Sequence, residues 1–488
     1  MRNLRTVVLL LIFLGIAMRL SRYVANQSLM CDEAALGVNI ITRSFAGLLQ
    51  PLAYEQGAPV GFLLLVKSTA SVFGYGEPSL RVTPILAGIV SLPLFYLLAR
   101  EVLSPWASAL ALALFAGCWQ LVNYSHFMKQ YSSDVAWAVA LVLAALRWRL
   151  AALGILGAVA IWFSHPAIFV LAGIGVTLLA EKLATRRYRE LPALAAVGAG
   201  WALCAAANYF AFERSLTHNQ GLSSGWQDWF MPHSLVLAPG WFVAHALSLF
   251  QDIDGTPAGR YLAPLTALLA VIGAVQLSRE RPRAAGFLVL PLAFTVAASA
   301  LRAFPFGGRL CFFLLPALMI LAIRGVWVAV TAAGRRGALV GAVLAGLVAA
   351  PAMAKSVYGA ITQPGTQEMR PLMIRIAQAQ QDGDSLLLHS SAEGAVAFYQ
   401  LQSRRYSLAK IRDVQTFDSD GQFQEDLDRL LRAGKAHRLW LIVSYDSPAF
   451  RKDEQAETAE LNRVGAVRLQ LREFGASAFL YVLGPDRS

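Results

Sequence analysis

Charged residues are scarce in this chain. Of its 488 residues, 15% are charged and 57% are hydrophobic, whereas a soluble domain carries roughly a quarter charged residues. The composition therefore excludes a large soluble core and indicates a polytopic membrane protein. The formal net charge of +12 does not indicate a nucleic-acid partner, because the Lys and Arg residues stand in short clusters between apolar segments, as expected of a topology signal.

Cysteine is also sparse, with four residues in no regular pattern. Cys118, Cys204 and Cys311 lie in or at the ends of apolar segments, and Cys31 stands beside two carboxylates. Their spacing is not that of a metal-binding motif, and it predicts no disulfide framework. The sequence also lacks an internal repeat, and its polar C-terminal region has no nucleotide-binding glycine loop.

Long apolar runs fill the first 355 residues. A membrane-spanning helix needs about 20 apolar residues, and this criterion predicts about eleven spans. The first is interpreted as uncleaved, because its signal-peptide-like cleavage site is poor and further spans follow. The spans lie at roughly 5–25, 79–99, 104–123, 133–148, 150–164, 166–181, 191–211, 260–278, 284–301, 309–330 and 336–354.

The Lys and Arg clusters fall on one side of this layout. By the positive-inside rule that side is cytoplasmic, which puts the N-terminus in the cytoplasm. An odd number of spans then puts the C-terminus and the first loop outside a cytoplasmic membrane. The residues that set this orientation are Arg2, Arg5, Arg100, Arg147, Arg149, Lys182, Arg186, Arg187, Arg189, Arg279, Arg281, Arg283, Arg335 and Arg336.

The composition becomes that of a soluble domain from about Pro364. Alternating helical and strand-like segments predict a small α/β domain over residues 364–488, outside the membrane. The fold class is thus a polytopic α-helical membrane domain, residues 1–355, followed by this domain. Its predicted helices cover 369–381, 394–402, 424–433 and 453–464, and its predicted strands cover 385–389, 439–444, 467–474 and 478–483.

Two adjacent carboxylates, Asp32 and Glu33, follow the first span almost immediately. Ionisable groups at a bilayer boundary are costly and often mark a functional site. The alternative is structural, with Asp32 as the N-cap and Glu33 in the first turn of an amphipathic helix over 32–49. This helix and a second over 59–73 are expected to lie on the membrane face. Both interpretations of the carboxylates stay open at this point.

The other outer loops combine carboxylates with cations. Lys129, Tyr131 and Asp134 share one short loop, His165 lies in the turn between the fifth and sixth spans, and Arg309 follows two glycines that permit close approach to a ligand. Cations at the membrane edge suit a lipid phosphate, and a carboxylate serves as general base if it reaches an attacking hydroxyl. The combination favours transfer from a phosphate-linked lipid to an acceptor hydroxyl.

Each candidate also has a structural interpretation. Arg81 begins a span and is able to snorkel to the interface. Lys129 is able to pair with Asp134, and His165 to cap the helix that begins at Pro166. Three functions therefore stay open: a glycosyltransferase, a transporter or flippase of a lipid-linked sugar, and a non-catalytic scaffold. A transporter predicts polar residues near the bilayer midplane, and the predicted spans are almost free of central charges.

Two further features of the outer loops are predicted to have no catalytic role. Residues 212–259 form a long loop rich in Trp, which favours the headgroup level, so it is expected to be an interface anchor rather than a lid. Gln56 and Glu77 are expected to be solvated loop residues.

Five short motifs in this order resemble those of the GT-C membrane glycosyltransferases, in the branch that includes protein O-mannosyltransferases and the lipid A aminoarabinose transferase. The resemblance covers roughly residues 1–355, and many members carry an appended C-terminal module. All five motifs lie on the predicted outer face. They are Cys31-Asp32-Glu33-Ala34, Gln56-Gly57-Ala58-Pro59-Val60-Gly61-Phe62, Phe73-Gly74-Tyr75-Gly76-Glu77-Pro78-Ser79-Leu80-Arg81, Lys129-Gln130-Tyr131-Ser132-Ser133-Asp134 and Phe304-Pro305-Phe306-Gly307-Gly308-Arg309.

The resemblance implies an inverting transfer of a hexose or pentose from a polyprenyl-phosphate donor to a lipid, glycan or protein acceptor. Asp32 matches the general base of such enzymes, and Glu33 completes the Asp-Glu pair of the O-mannosyltransferase-like members. Asp134, with the neighbouring Tyr131, matches a second acidic or acceptor residue.

The resemblance also implies which groups bind the donor and a metal. Arg309, Lys129 and Arg81 match residues that hold the donor phosphate. Some relatives use a divalent metal such as Mg²⁺ or Mn²⁺, for which Asp32 and Glu33 would be the ligands. The sequence has no obvious cage of His and carboxylates, so metal use stays open.

Overall fold

The computed structural model describes residues 2–214, 226–234, 236–433, 437–444 and 448–483. Long apolar helices form the first part of the chain, and a mixed β-sheet with its own helices forms the last part. The helices of the first part are α1 (Arg2–Val24), α2 (Cys31–Thr42), α3 (Val60–Phe73), α4 (Glu77–Leu80), α5 (Val82–Val102), α6 (Pro105–Gly117), α7 (Trp119–Asn123), α8 (Tyr131–Arg147), α9 (Leu150–Phe163), α10 (Ala167–Ala184), α11 (Leu191–Asn208), α12 (Ala238–Asp254), α13 (Gly259–Glu280), α14 (Pro282–Ala300), α15 (Leu315–Ala332) and α16 (Gly337–Thr362).

Every predicted span coincides with a helix. Among the described residues, eight helices are long and apolar enough to cross a membrane, and α6 with the segment after it makes a ninth if this pair, bent by 57°, is one span. Helices α8 and α9 coincide with two more predicted spans but have only 17 and 14 residues. The chain is therefore a multi-pass helical membrane protein, as its composition predicts, and the number of eleven spans stays a prediction.

Helix α12 lies within the segment 212–259, which the sequence predicts to be a loop. Residues 215–225 and 235 of this segment lie outside the described residues. Leu249, Phe250 and Ile253 of α12 are buried against the bundle. The second half of the predicted loop is thus a helix that packs on the membrane domain.

The C-terminal part is a five-stranded sheet. The order of its strands is β2 (Ile411–Phe417), β1 (Asp384–His389), β3 (Arg438–Ser444), β5 (Ala476–Leu483) and β4 (Gly465–Glu473). Strands β2, β1 and β3 are parallel, whereas β5 pairs antiparallel with β3 and β4. The predicted strands and helices are present, and β2 is an addition. It is an edge strand whose mostly exposed residues do not form the buried apolar run that predicts a strand. The elements are α17 (Met369–Ala379), β1 (Asp384–His389), α18 (Ser390–Gln402), β2 (Ile411–Phe417), α19 (Asp420–Arg432), β3 (Arg438–Ser444), α20 (Pro448–Val464), β4 (Gly465–Glu473) and β5 (Ala476–Leu483).

Helix α2 lies against the C-terminal domain. A Cβ placed on Gly394 of α18 would come within 2.7 Å of Cβ of Ala35, and one on Gly37 would come within 2.8 Å of the Phe398 ring. These glycines let α2 and α18 approach closely. Helices α2 and α3 share one hydrophobic core with α17, α18 and the sheet. The C-terminal domain therefore holds α2, and with it Asp32, in place.

Candidate active site

The first turn of α2 brings Asp32 to two cations. Oδ2 of Asp32 lies 2.9 Å from Nη2 of Arg309 and 3.8 Å from Nζ of Lys129. The side chains of Asp32 and Arg309 are each about a quarter exposed, so a ligand is able to reach them. The three residues lie far apart in the sequence, and the fold places them in one site.

Lys129 is held by the loop before α8. Its ammonium group donates a hydrogen bond of 2.6 Å to Oε1 of Gln56, and the residue is only 5% exposed. Gln56 was expected to be a solvated loop residue. It instead orients a buried cation of the site. Lys129 lies outside the predicted spans. Burial and the neighbouring Arg309 lower the pKa of Lys129, although the negative charge of Asp32 raises it in part.

Arg309 is the second residue of a 3₁₀ turn, Gly308–Leu314, that leads into α15. Its guanidinium lies over the ring of Tyr131, 5.6 Å from the centroid, and 5.8 Å from that of Trp226. Gly307 and Gly308 both have positive φ, at 148° and 53°, and a Cβ on Gly307 would clash with the Trp229 ring. Gly307 thus makes room for the Trp229 ring, whereas a Cβ on Gly308 would make only ordinary contacts with that ring.

Opposing effects set the charge of Asp32. Burial raises the pKa of its carboxyl. Arg309, Lys129 and the backbone N–H groups of the first turn of α2 lower this pKa by more than burial raises it, so the net pKa is below its usual value. Asp32 is therefore ionised at neutral pH. Its second oxygen, Oδ1, is buried and has no hydrogen-bond partner among the described residues.

Glu33 points away from Asp32 into a separate, fully buried network. Its oxygens accept from Nε and Nη2 of Arg81 at 3.3 and 3.2 Å. They also accept from the backbone N–H groups of Met30 and Met128, at 3.0 and 2.6 Å. Glu33, not Asp32, therefore caps α2, and it ties the helix to the loop that carries Lys129.

Arg81 binds Glu33 and backbone carbonyls rather than the Asp32 site. Its guanidinium is 1% exposed, binds both oxygens of Glu33 and donates to the carbonyls of Gln27 and Ser28 at 2.7 and 3.3 Å. The structure thus separates Arg81 from Arg309 and Lys129, with which sequence analysis grouped it. Glu77 is likewise buried rather than solvated, because it accepts from Tyr399 and pairs with Arg370.

Asp134 and His165 belong to a second polar cluster. Nε2 of His165 lies 3.1 Å from Oε1 of Glu213, and Asp134 lies close enough to His165 and Ser164 to interact with both. Glu213 ends a π-helical turn, Tyr209–Glu213, that continues α11. The structure therefore separates His165 from the two cations beside Asp32 and surrounds it with carboxylates, which do not suit a phosphate site.

A divalent metal does not fit the Asp32–Glu33 pair. One carboxylate faces two cations, which repel a metal ion, and both oxygens of the other bind Arg81. In the described ranges, no group of three or more His, Cys, Asp and Glu is placed to hold a metal ion. The proposed mechanism therefore has no step through a metal.

Comparisons with known proteins give structural but not sequence matches. Neither a protein-family model nor a curated protein sequence matches the chain. The crystal structure of ArnT from Cupriavidus metallidurans bound to undecaprenyl phosphate has a TM-score of 0.54 and 14% identity over 99% of both chains.

Two structures of an oligosaccharyltransferase from Archaeoglobus fulgidus also match. The apo form has a TM-score of 0.54 and 11% identity over 90% of this chain and 69% of its own. The complex with an inhibitory peptide and a dolichol-phosphate has a TM-score of 0.50 and 11% identity over 98% and 74%. The chain therefore has the fold of the GT-C membrane glycosyltransferases, as the sequence motifs predicted.

Proposed function

We propose that the protein transfers a monosaccharide from a polyprenyl-phosphate donor to an acceptor hydroxyl. The reaction takes place at the outer face of the cytoplasmic membrane. The N-terminus lies in the cytoplasm, and the C-terminal domain lies on the outer side. The observation that carries the proposal is the position of Asp32 beside Arg309 and Lys129. A carboxylate and two cations at one boundary supply both a base and a phosphate site.

The reaction is a single displacement at the anomeric carbon. The acceptor oxygen forms a bond to this carbon while the bond to the phosphate oxygen breaks, so the configuration inverts. The acceptor proton passes to Asp32 as general base. The leaving polyprenyl phosphate gains one negative charge, and Arg309 and Lys129 stabilise it where that charge develops.

Donor binding activates the base in this proposal. In the ligand-free site the cations hold the pKa of Asp32 low, despite the opposing effect of burial, which makes the carboxylate a weak base. A bound phosphodiester offsets part of their charge, so the pKa of Asp32 rises towards that of a useful base. The donor therefore binds before the acceptor loses its proton.

The comparisons support the class of donor. The matched structures contain undecaprenyl phosphate and a dolichol-phosphate, and both lipids are prenyl phosphates of the kind that leaves in the proposed reaction. Since identity is only 14% and 11%, the likeness shows the fold, and the donor is inferred from the charge of the site. In this scheme Glu33 and Arg81 position α2 and do not contact the phosphate.

The test is transfer from a labelled polyprenyl-phosphate monosaccharide by the full-length protein in nanodiscs. Loss of a general base lowers rates by about 10²- to 10⁴-fold, and we expect a loss of this size for Asp32→Asn. The matched control is Glu101→Gln, because Glu101 pairs with Arg147 away from the site. Wild-type activity of Asp32→Asn, with the fold shown to be intact by its thermal transition, would reject the assignment.

A further inference from the structure

A membrane-facing groove runs between α10 and α11, and Ile161 of α9 also lines it. It encloses about 530 Å³, and its walls are apolar. Lining residues extend along α11 from Leu191 to Ala205, which corresponds to about 21 Å of helix. This length is roughly two thirds of the hydrocarbon core of a bilayer, about 30 Å. The groove therefore has the length and polarity to hold one hydrocarbon chain.

The second polar cluster lies about one helical turn beyond the outer end of this groove. Ser164 and His165 form the turn between α9 and α10, and Asn208 ends α11. Each lies about one helical turn from a groove residue, namely Ile161, Ile168 and Ala205 respectively. A chain lying in the groove would thus bring its headgroup to Ser164, His165 and Asn208.

Several buried polar atoms of the cluster have hydrogen-bonding capacity to spare. Among the described residues, Oδ1 of Asn208 makes no hydrogen bond, and the Ser164 hydroxyl and Oδ1 of Asp134 have no partner beyond each other's side chain, although these residues are only 4%, 1% and 5% exposed. Buried polar atoms are nearly always paired in native proteins. A hydroxyl group is able to donate to the oxygens of Asp134 and Asn208 and to accept from Ser164, so these atoms fit a polyhydroxyl ligand.

The charge of the cluster distinguishes it from the donor site. Glu213 pairs with His165, the cation of the cluster, and Asp134 adds a carboxyl group rather than a second cation. Arg214 lines another cavity with Gln50. The cluster therefore lacks the excess positive charge that a phosphate needs and suits a neutral headgroup. Helix α8 links the two sites, because Asp134 lies one turn after Tyr131, whose ring supports Arg309.

We propose that the groove and the cluster bind the acceptor, and that the acceptor is a lipid with an uncharged, polyhydroxyl headgroup. Its hydrocarbon chain lies in the groove, and its headgroup binds Asp134, Ser164 and Asn208. One hydroxyl then reaches Asp32 past Tyr131. The inference rests on the proposed function, because it names the acceptor class for the same reaction.

The groove offers a matched pair of variants. Gly198 lines the groove, whereas Gly200, on the same helix, does not. A Cβ at either position would meet no atom within 4 Å, so Gly198→Leu and Gly200→Leu are both expected to fold. The probe is a photoactivatable dodecyl glucoside, added to the full-length protein in phosphatidylcholine nanodiscs, with dodecyl phosphate as competitor.

We expect the probe to label α10 and α11 of the wild type and of Gly200→Leu, and labelling to fall at least tenfold in Gly198→Leu. Dodecyl phosphate should not compete. Equal labelling of the two variants, or equal competition by the phosphate, would overturn the inference and indicate bulk lipid or the donor chain in the groove. A further outcome is that Gly198→Leu reduces labelling but no preparation transfers sugar. This result would reject the proposed reaction but leave the lipid site in place.

Discussion

The carboxylate of Asp32 and the guanidinium of Arg309 lie 2.9 Å apart. Asp32 follows the first membrane helix and Arg309 precedes α15, so the contact joins segments from the beginning and from near the end of the sequence of the membrane domain. An ion pair at the edge of a membrane is partly dehydrated, and each charged partner lowers the free-energy cost of dehydrating the other. The same pair has to open when a phosphate enters, because Arg309 then exchanges one anion for another.

The planar fork of Arg309 predicts a loss of activity in Arg309→Lys. Lysine keeps the charge but not the bidentate geometry. A hydrogen bond to a charged group contributes about 1.5–3 kcal/mol, so we expect kcat/KM for the donor to fall about 10- to 100-fold. The control is Arg302→Lys on the same loop, since Arg302 lies over Phe230. A wild-type kcat/KM for Arg309→Lys would contradict the phosphate contact.

The buried pair of Glu33 and Arg81 predicts that neutralising Glu33 lowers the stability of the protein more than neutralising the adjacent Asp32. Glu33→Gln leaves the Arg81 charge buried without compensation, which costs about 3–5 kcal/mol. We expect a clearly lower unfolding midpoint than for Asp32→Asn, measured at one scan rate in the same detergent. Adding Arg81→Gln to Glu33→Gln should recover part of the loss. Equal midpoints for Glu33→Gln and Asp32→Asn would show that the buried pair does not stabilise α2.

Much of the site could be predicted from sequence because ionisable residues are rare at a membrane boundary. Asp32, Lys129 and Arg309 stood out for that reason, and the structure brings them together. The division of roles between Asp32 and Glu33 could not be predicted. Consecutive helical residues point about 100° apart, and sequence alone does not show which one faces the cations.

Other contacts depend on tertiary structure that no local pattern reveals. Gln56 resembles a solvated residue until Lys129 is placed beside it. The sequence places His165 with the phosphate-binding cations. Its partner, Glu213, lies far along the chain, so the sequence around His165 does not reveal the pair. The role of Gly307 was predicted as close approach to a ligand, whereas the close neighbour is Trp229. Each case needed the position of a distant residue.

The close contact of α2 with α18 predicts that the C-terminal domain controls the site. A Cβ on Gly394 would lie 3.1 Å or less from three atoms of Ala35, two of them backbone, so Gly394→Ala has to shift α2. We expect transfer activity to fall at least tenfold while helical content by circular dichroism stays unchanged. Gly421→Ala is the control, because a Cβ there meets nothing within 4 Å. Full activity of Gly394→Ala would show that the domain does not position Asp32.

The ion pair of His165 and Glu213 predicts a loss of stability at alkaline pH. Burial lowers the pKa of His165, but Glu213 and then Asp134 raise it more, and the net pKa lies above its ordinary value of 6.5. The folded protein therefore favours the protonated ring. The stabilisation is complete below about pH 6.5, where the unfolded chain is also protonated, and it disappears as pH rises through the raised pKa.

The measurement is the unfolding midpoint of the wild type, His165→Gln and His233→Gln at pH 6 and pH 9. We expect His165→Gln to lower the midpoint at pH 6 and to have a much smaller effect at pH 9, because the ring has lost its charge there. His233→Gln should follow the wild type at both values, since His233 is exposed and contacts Arg302 rather than a carboxylate. An effect of His165→Gln that is the same at both values would mean that the ring acts through packing rather than through its charge.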